Sequence, residues 1–130
     1  MKKIAVILFI LFLVPVVVYG KESKCHKYFE RDYQKYWCEI NNGKQEYRLP
    51  DKTRVDCVTD NYAIEFDFAK KWAEAVGQSL YYAEVLQKNP GIVLISENGE
   101  KDQKFIKRLN SIAEKFGITV WIIKPEELKK

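Results

Sequence analysis

The chain has 130 residues, a formal net charge of +4, 47% hydrophobic residues and 31% charged residues. These values exclude a disordered or low-complexity protein, and the length allows one ordinary domain rather than two. At the beginning of the chain, Lys2 and Lys3 precede an almost unbroken apolar run over residues 4–18, which is followed by Gly20. That order is typical of a secretory signal peptide.

A membrane anchor is the competing interpretation of this run. A spanning helix needs roughly twenty apolar residues, whereas the run is shorter and contains Pro15. We therefore predict a signal peptide at residues 1–20, a periplasmic or secreted mature chain at residues 21–130, and no stable membrane association after cleavage. Loss of the two leading lysines lowers the net charge from +4 to +2, so overall positive charge gives no argument for nucleic-acid binding.

Three cysteines, Cys25, Cys38 and Cys57, would enter an oxidising compartment, where one disulfide and one free thiol are expected. Residues 26–37 are predicted to be helical, which would separate Cys25 from Cys38 by about 20 Å, and a disulfide tolerates about 7 Å. We therefore predict the pair Cys38–Cys57. A metal site made by Cys25, His26 and Cys38 is the alternative, although its spacing matches no common zinc pattern.

The hydrophobic pattern predicts alternating helices and strands along the mature chain. A helix over 23–37 precedes strands over 45–49, 54–59 and 62–68, then a helix over 69–86, a buried strand over 91–96, a helix over 102–116 and a strand over 118–123. A three-stranded meander followed by helix, strand, helix and strand predicts a single α/β domain, with a mixed sheet flanked by helices.

Acidic side chains occur in two adjacent strands of this meander. Asp56 lies in the second strand, and Glu65 and Asp67 project to one side of the third. Acidic groups in an interior strand are costly unless they are paired or bind a metal. The alternative interpretation is a solvated sheet face on which Arg54 or Arg48 pairs with Asp56.

The helix that follows carries Gln78-Ser79-Leu80-Tyr81-Tyr82. Together with Arg54-Val55-Asp56 and Ala63-Ile64-Glu65, this segment resembles the PD-(D/E)XK nuclease superfamily, which has the restriction-endonuclease-like fold. The spacing of Gln78 and Tyr82 is similar to the Gln-x-x-x-Tyr motif of its RecB-type members. The resemblance covers roughly residues 26–125, and the order of predicted elements agrees with it.

This resemblance implies a metal-dependent nuclease that acts on nucleic acid, with DNA as the expected substrate, alone or as a homodimer. Asp56 and Glu65 would be catalytic and, with the backbone carbonyl of Phe66, would hold Mg²⁺ or Mn²⁺, since hard cations prefer oxygen ligands. Glu30 and Asp67 are further candidate metal ligands. Gln78 and Tyr82 would bind the substrate.

One part of the family pattern is missing. The third motif is Glu-x-Lys, whereas this chain has Glu65-Phe66-Asp67. The resemblance implies that Lys71, or otherwise Lys70, supplies the catalytic lysine from the next helix. If neither reaches the site, the domain would be an inactive binding or interaction module. A small disulfide-stabilised interaction protein with no nucleic-acid role is the third interpretation.

Overall fold

The computed structural model describes residues 25–129, so the predicted signal peptide lies outside the described residues. The described chain contains three α-helices, five strands and three short 3₁₀ turns. The helices and strands are α1 (Glu30–Ile40), β1 (Lys44–Arg48), β2 (Arg54–Val58), β3 (Tyr62–Phe68), α2 (Trp72–Leu86), β4 (Asn89–Ile95), α3 (Gln103–Phe116) and β5 (Thr119–Ile123). The 3₁₀ turns span Ala69–Lys71, Gly99–Asp102 and Pro125–Lys129.

The five strands form one sheet in the order β1-β2-β3-β4-β5. β1, β2 and β3 are antiparallel neighbours, whereas β3–β4 and β4–β5 are parallel pairs. Each parallel pair is joined through a helix, because parallel neighbours need a crossover connection. The prediction of an α/β fold with a mixed sheet is confirmed.

Helices cover both faces of the sheet. On one face α1 contacts β1, β2 and β3, and its Tyr33 packs in one cluster with Phe66 and Val93. On the other face α2 contacts β3 and β4 and packs against α3, and the cluster there includes Ile92 and Leu94. Successive residues of β4 thus point into different clusters, which explains why its apolar run does not alternate.

The first helix begins later than its aromatic pattern predicts. Residues 25–29 are not helical, and α1 starts at Glu30. The backbone N–H groups of Lys27 and Tyr28 donate hydrogen bonds to the Glu97 carboxylate, over distances of 3.1 to 3.4 Å. These hydrogen bonds join segments about 70 residues apart and keep residues 27 and 28 out of the helix. The N–H of Phe29 donates a hydrogen bond to Asp32, and α1 begins at the next residue.

The predicted disulfide Cys38–Cys57 is confirmed, with Cα atoms 5.9 Å apart, and Cys25 is a free, exposed thiol. The bond ties α1 to β2 at the residue next to Asp56. Gly43 lies against both bonded sulfur atoms, so a Cβ atom at that position would collide with them. No helix within residues 25–129 is long and apolar enough to cross a membrane.

Candidate functional site

The sheet opens between β2 and β3 at Asp56. Backbone pairing of these strands is limited to Cys57 with Ile64 and Val58 with Ala63. Beyond that point the Asp56 side chain accepts a hydrogen bond from the Phe66 N–H at 2.9 Å, in place of a backbone carbonyl. The Asp56 carboxylate is therefore fixed within the sheet by main-chain geometry rather than carried on a free side chain.

A cleft of about 540 Å³ lies at this opening. Glu30 reaches it from α1 and Gln78 from α2, although these helices pack on opposite faces of the sheet. Three carboxylates, three cations and one amide line the cleft: Glu30, Asp56, Glu65, Arg48, Lys52, Arg54 and Gln78. Four of the seven residues that the family resemblance singles out are thereby brought together.

The acids of the cleft are poorly compensated. Burial raises the pKa of Asp56 to about 6. The hydrogen bond from Phe66 opposes this rise, and the Glu30 charge adds to it. Burial together with the Asp56 and Asp67 charges raises the pKa of Glu65 to about 9. Because close carboxylates do not readily both ionise, the Asp56 charge favours the protonated form of Glu65.

Glu65 also has an unsatisfied atom. The residue is only 5% exposed, and its Oε2 has no hydrogen-bond partner among the described residues. A buried acceptor without a donor costs roughly 1 to 3 kcal/mol. Burial likewise raises the pKa of Glu30, against the opposing charge of Lys71. The nearby cations thus do not offset the burial of these acidic oxygens.

Asp67 and Lys71 form a separate contact beside the cleft. Lys71 lies in the 3₁₀ turn before α2, and its Nζ is 4.0 Å from Asp67 Oδ1 and 3.5 Å from Glu74 Oε2. Burial, partly offset by Lys71, raises the pKa of Asp67 to about 7. The Asp67 charge raises the pKa of Lys71, so this amine is firmly protonated. Neither residue is among those that line the cleft.

Gln78 lines the cleft, whereas Tyr82 does not. Tyr82 is buried, with 6% of the residue exposed, and packs in one cluster with Leu49 and Val55. Burial raises the pKa of the Tyr82 phenol, and a hydrogen bond with the Gln78 side chain partly offsets this rise. The two residues therefore interact, with Gln78 able to reach a ligand and Tyr82 able to position Gln78.

The interpretation of this face as solvated requires an ion pair between Asp56 and Arg54 or Arg48. The structure shows different partners for these cations. Arg54 forms an ion pair with Glu46 and not with Asp56. Within residues 25–129, Arg48 and Lys52 form no ion pair. The sequence analysis named Arg48 only as a possible partner of Asp56 and did not single out Lys52. Arg48 ends β1 and Lys52 lies in the turn that follows, so that the pairing of β1 with β2 brings both to the cleft.

Within the described residues, no three His, Cys, Asp or Glu side chains are grouped closely enough to hold a metal ion by themselves. Mg²⁺ does not need such a group, because it binds through one or two carboxylates together with water and substrate phosphate. Asp56 and Glu65 meet that requirement, and the unpartnered Glu65 oxygen is the atom that a cation would satisfy. The donor set therefore fits Mg²⁺ or Mn²⁺.

Comparison with protein-family models finds no match to this chain, and neither the curated proteins nor the solved structures contain a match.

Proposed function

We propose that this protein is a metal-dependent nuclease that hydrolyses nucleic-acid phosphodiester bonds, with DNA as the expected substrate and a restriction-endonuclease-like site. The observation that carries the proposal is the buried, unpartnered oxygen of Glu65 beside Asp56, in a cleft rimmed by Arg48 and Lys52. Acidic ligands for a cation and positive charge for a phosphate occur together there.

Each residue of the cleft has a role in this proposal. Asp56, fixed by the Phe66 amide, and Glu65 would hold Mg²⁺ or Mn²⁺, and Glu30 would support it from α1. A bound metal ion lowers the pKa of water and offsets negative charge on the reacting phosphate. Gln78 would donate a hydrogen bond to the substrate backbone, and Tyr82 would position Gln78.

Lys71 is the proposed catalytic lysine, acting on the reacting phosphate or on water near it. Its contacts with Asp67 and Glu74 favour a second candidate function. If those contacts persist with substrate, the domain binds nucleic acid without cutting it.

Export is part of the proposal. The Cys38–Cys57 disulfide is compatible with an extracellular location, because such bonds persist in oxidising compartments. We propose that the signal peptide at residues 1–20 directs the enzyme to the periplasm or the medium, where its substrate would be nucleic acid outside the cytoplasm.

The test is cleavage of end-labelled single-stranded and duplex DNA and RNA by the exported protein, in Mg²⁺ or Mn²⁺ and in EDTA. Asp56→Asn keeps the side-chain shape and removes a charged metal ligand. We expect it to lower the rate about a hundredfold or more, because even groups that only orient a metal ligand contribute 10- to 100-fold. Lys71→Ala tests the lysine separately.

Asp60→Asn is the matched control, because Asp60 is an exposed turn residue away from the cleft, and it should cut like the wild type. Loss of metal-dependent cutting in both test variants supports the whole assignment, and loss in Asp56→Asn alone transfers the lysine role to Lys70. No cutting of any substrate by the folded wild type would overturn the nuclease and favour the binding module.

A further inference from the structure

The proposed chemistry uses the carboxylates of the cleft and gives its rim only a general positive charge for a phosphate. Arg48, Lys52 and Arg54 lie on β1, the turn and β2, and all three line the cleft. Only Arg54 is compensated by an acid in the described chain, through Glu46. Positive charge held above a buried carboxylate pair suits a ligand that brings its own anions, such as a chain of phosphates.

Two exposed aromatic side chains lie next to residues of this cleft. Phe29 is 69% exposed and lines a neighbouring pocket that shares Glu30 with the cleft, on the α1 side. Tyr81 is 46% exposed, lies three residues after Gln78 on the α2 side, and donates a hydrogen bond to Asp51, next to Lys52. Neither ring lines the cleft itself, and the two rings belong to the α1 and α2 sides of the sheet.

Phe29 is additionally paired with a cation. The guanidinium carbon of Arg31 lies 4.9 Å from the centre of the Phe29 ring. An aromatic ring beside an arginine is the combination that single-strand-binding proteins use to stack a base and hold the adjacent backbone.

We propose that the cleft takes one strand of nucleic acid rather than a duplex, with phosphates on Arg48, Lys52 and Arg54 and with bases stacked on Phe29 and Tyr81. This inference rests on the proposed function and names its substrate class. In a duplex the faces of the bases are covered by their neighbours, whereas a single strand leaves them free to stack on protein rings. Exposed rings next to the cleft therefore favour a single strand over a duplex as the ligand.

The charge count agrees with this choice. The logarithm of the affinity falls with the logarithm of the salt concentration with a slope of about −0.9 per neutralised phosphate for duplex DNA and about −0.7 for single strands. Three rim cations therefore predict a slope of about −2 for this cleft. The modest net charge of the mature chain is consistent with so small a footprint.

The test is equilibrium binding, by fluorescence anisotropy, of a labelled twelve-nucleotide DNA strand and of the same strand in a duplex. The wild-type protein is used in EDTA, where no cutting interferes, and Asp56→Asn provides a second background. We expect the single strand to bind at least tenfold more tightly. Phe29→Ala and Tyr81→Ala should each weaken that binding about tenfold, since stacking contributes roughly 1 to 3 kcal/mol per base. Lys52→Ala should reduce the salt slope by about 0.7.

Two further variants separate stacking from other effects. Tyr81→Phe should restore the affinity that Tyr81→Ala loses, because it keeps the ring and removes only the hydroxyl bond to Asp51. Phe116→Ala is the matched control, since Phe116 is 51% exposed at the end of α3, a helix that contributes no residue to the cleft, and it should bind like the wild type.

Equal or tighter binding of the duplex, or unchanged affinity in both Phe29→Ala and Tyr81→Ala, would overturn the inference. The outcome is independent of cleavage. Selective binding of the single strand without any cutting would contradict the proposed nuclease activity and support the single-strand cleft. Cutting of duplex with no preference for a single strand would support the nuclease activity and contradict this inference.

Discussion

Two glutamates of this protein behave in opposite ways. Glu65 is buried, with 5% of the residue exposed. Glu97 is only half-buried as a residue, although its side chain is 6% exposed. Glu97 accepts hydrogen bonds from the His26 ring at 2.9 Å, the Tyr33 hydroxyl at 2.7 Å, and the amides of Lys27 and Tyr28. Glu65 has acidic neighbours and an oxygen with no partner in the described chain.

The pKa values follow from these surroundings. Burial alone would raise the pKa of Glu97, but its hydrogen bonds outweigh burial and lower it. The pKa of Glu65 rises because nothing offsets its burial and the Asp56 charge adds to it. Glu97 is thus a structural carboxylate that attaches residues 26–28 to the end of β4, whereas Glu65 is a destabilised group, as expected of a binding or catalytic site.

The pH dependence of stability is the largest effect that this comparison predicts. The folded-state pKa values of Asp56, Glu65 and Asp67 lie above those of the unfolded chain, so the folded, metal-free protein binds more protons. Its free energy of unfolding should therefore fall by several kcal/mol as the pH rises from about 5 to 9, since each tenfold change in proton affinity is worth about 1.4 kcal/mol.

Urea denaturation in EDTA across this pH range measures the fall in the free energy of unfolding. Glu65→Gln should remove most of the fall at the higher pH values, where Glu65 titrates. A free energy of unfolding that is flat or rises from pH 5 to 9 would show that these carboxylates are compensated. Below about pH 4.5 the sign reverses for Glu97, because its lowered pKa makes it stabilising only while ionised.

Glu97→Gln is predicted to destabilise the fold by a smaller amount, because Glu97 stabilises the fold in its ionised form whereas Glu65 does not. The variant loses charge-assisted hydrogen bonds and should lower the free energy of unfolding at pH 7 by about 2 kcal/mol, with the activity per folded molecule retained. Glu100→Gln, an exposed neighbour in the same connection, is the control and should be neutral. If Glu97→Gln instead abolished cleavage in a folded protein, the division between a structural and a functional carboxylate would be wrong.

Local pattern was sufficient to predict much of this fold. β3 was predicted with its observed bounds because its apolar and acidic residues alternate, and Gly117 ends α3 in the left-handed conformation that favours glycine. The strand β4 instead begins at Asn89, two residues before the predicted start at residue 91, and includes Pro90. Tertiary pairing with β3 extends the strand over these residues.

The site was predicted only in part, because its assembly depends on contacts distant in sequence. Asp56, Glu65, Glu30 and Gln78 meet as the sequence motifs indicate, whereas Lys71 contacts Asp67 outside the lining of the cleft. The Glu97 anchor had no sequence signal, since its donors lie about 70 residues earlier in the chain. The role of Arg48 and Lys52 likewise follows from the register of β1 on β2.

The central claim is that the paired carboxylates at the sheet opening form a metal site. Calorimetric titration of Mn²⁺ into the metal-free protein at pH 8, in two buffers of different ionisation enthalpy, tests it most directly. We predict one saturable site whose occupation releases about one proton, because the ion displaces the proton that the raised pKa of Glu65 keeps bound at this pH. That binding should be lost in Asp56→Asn. Absence of binding in the wild type, or undiminished binding in Asp56→Asn, would contradict the account.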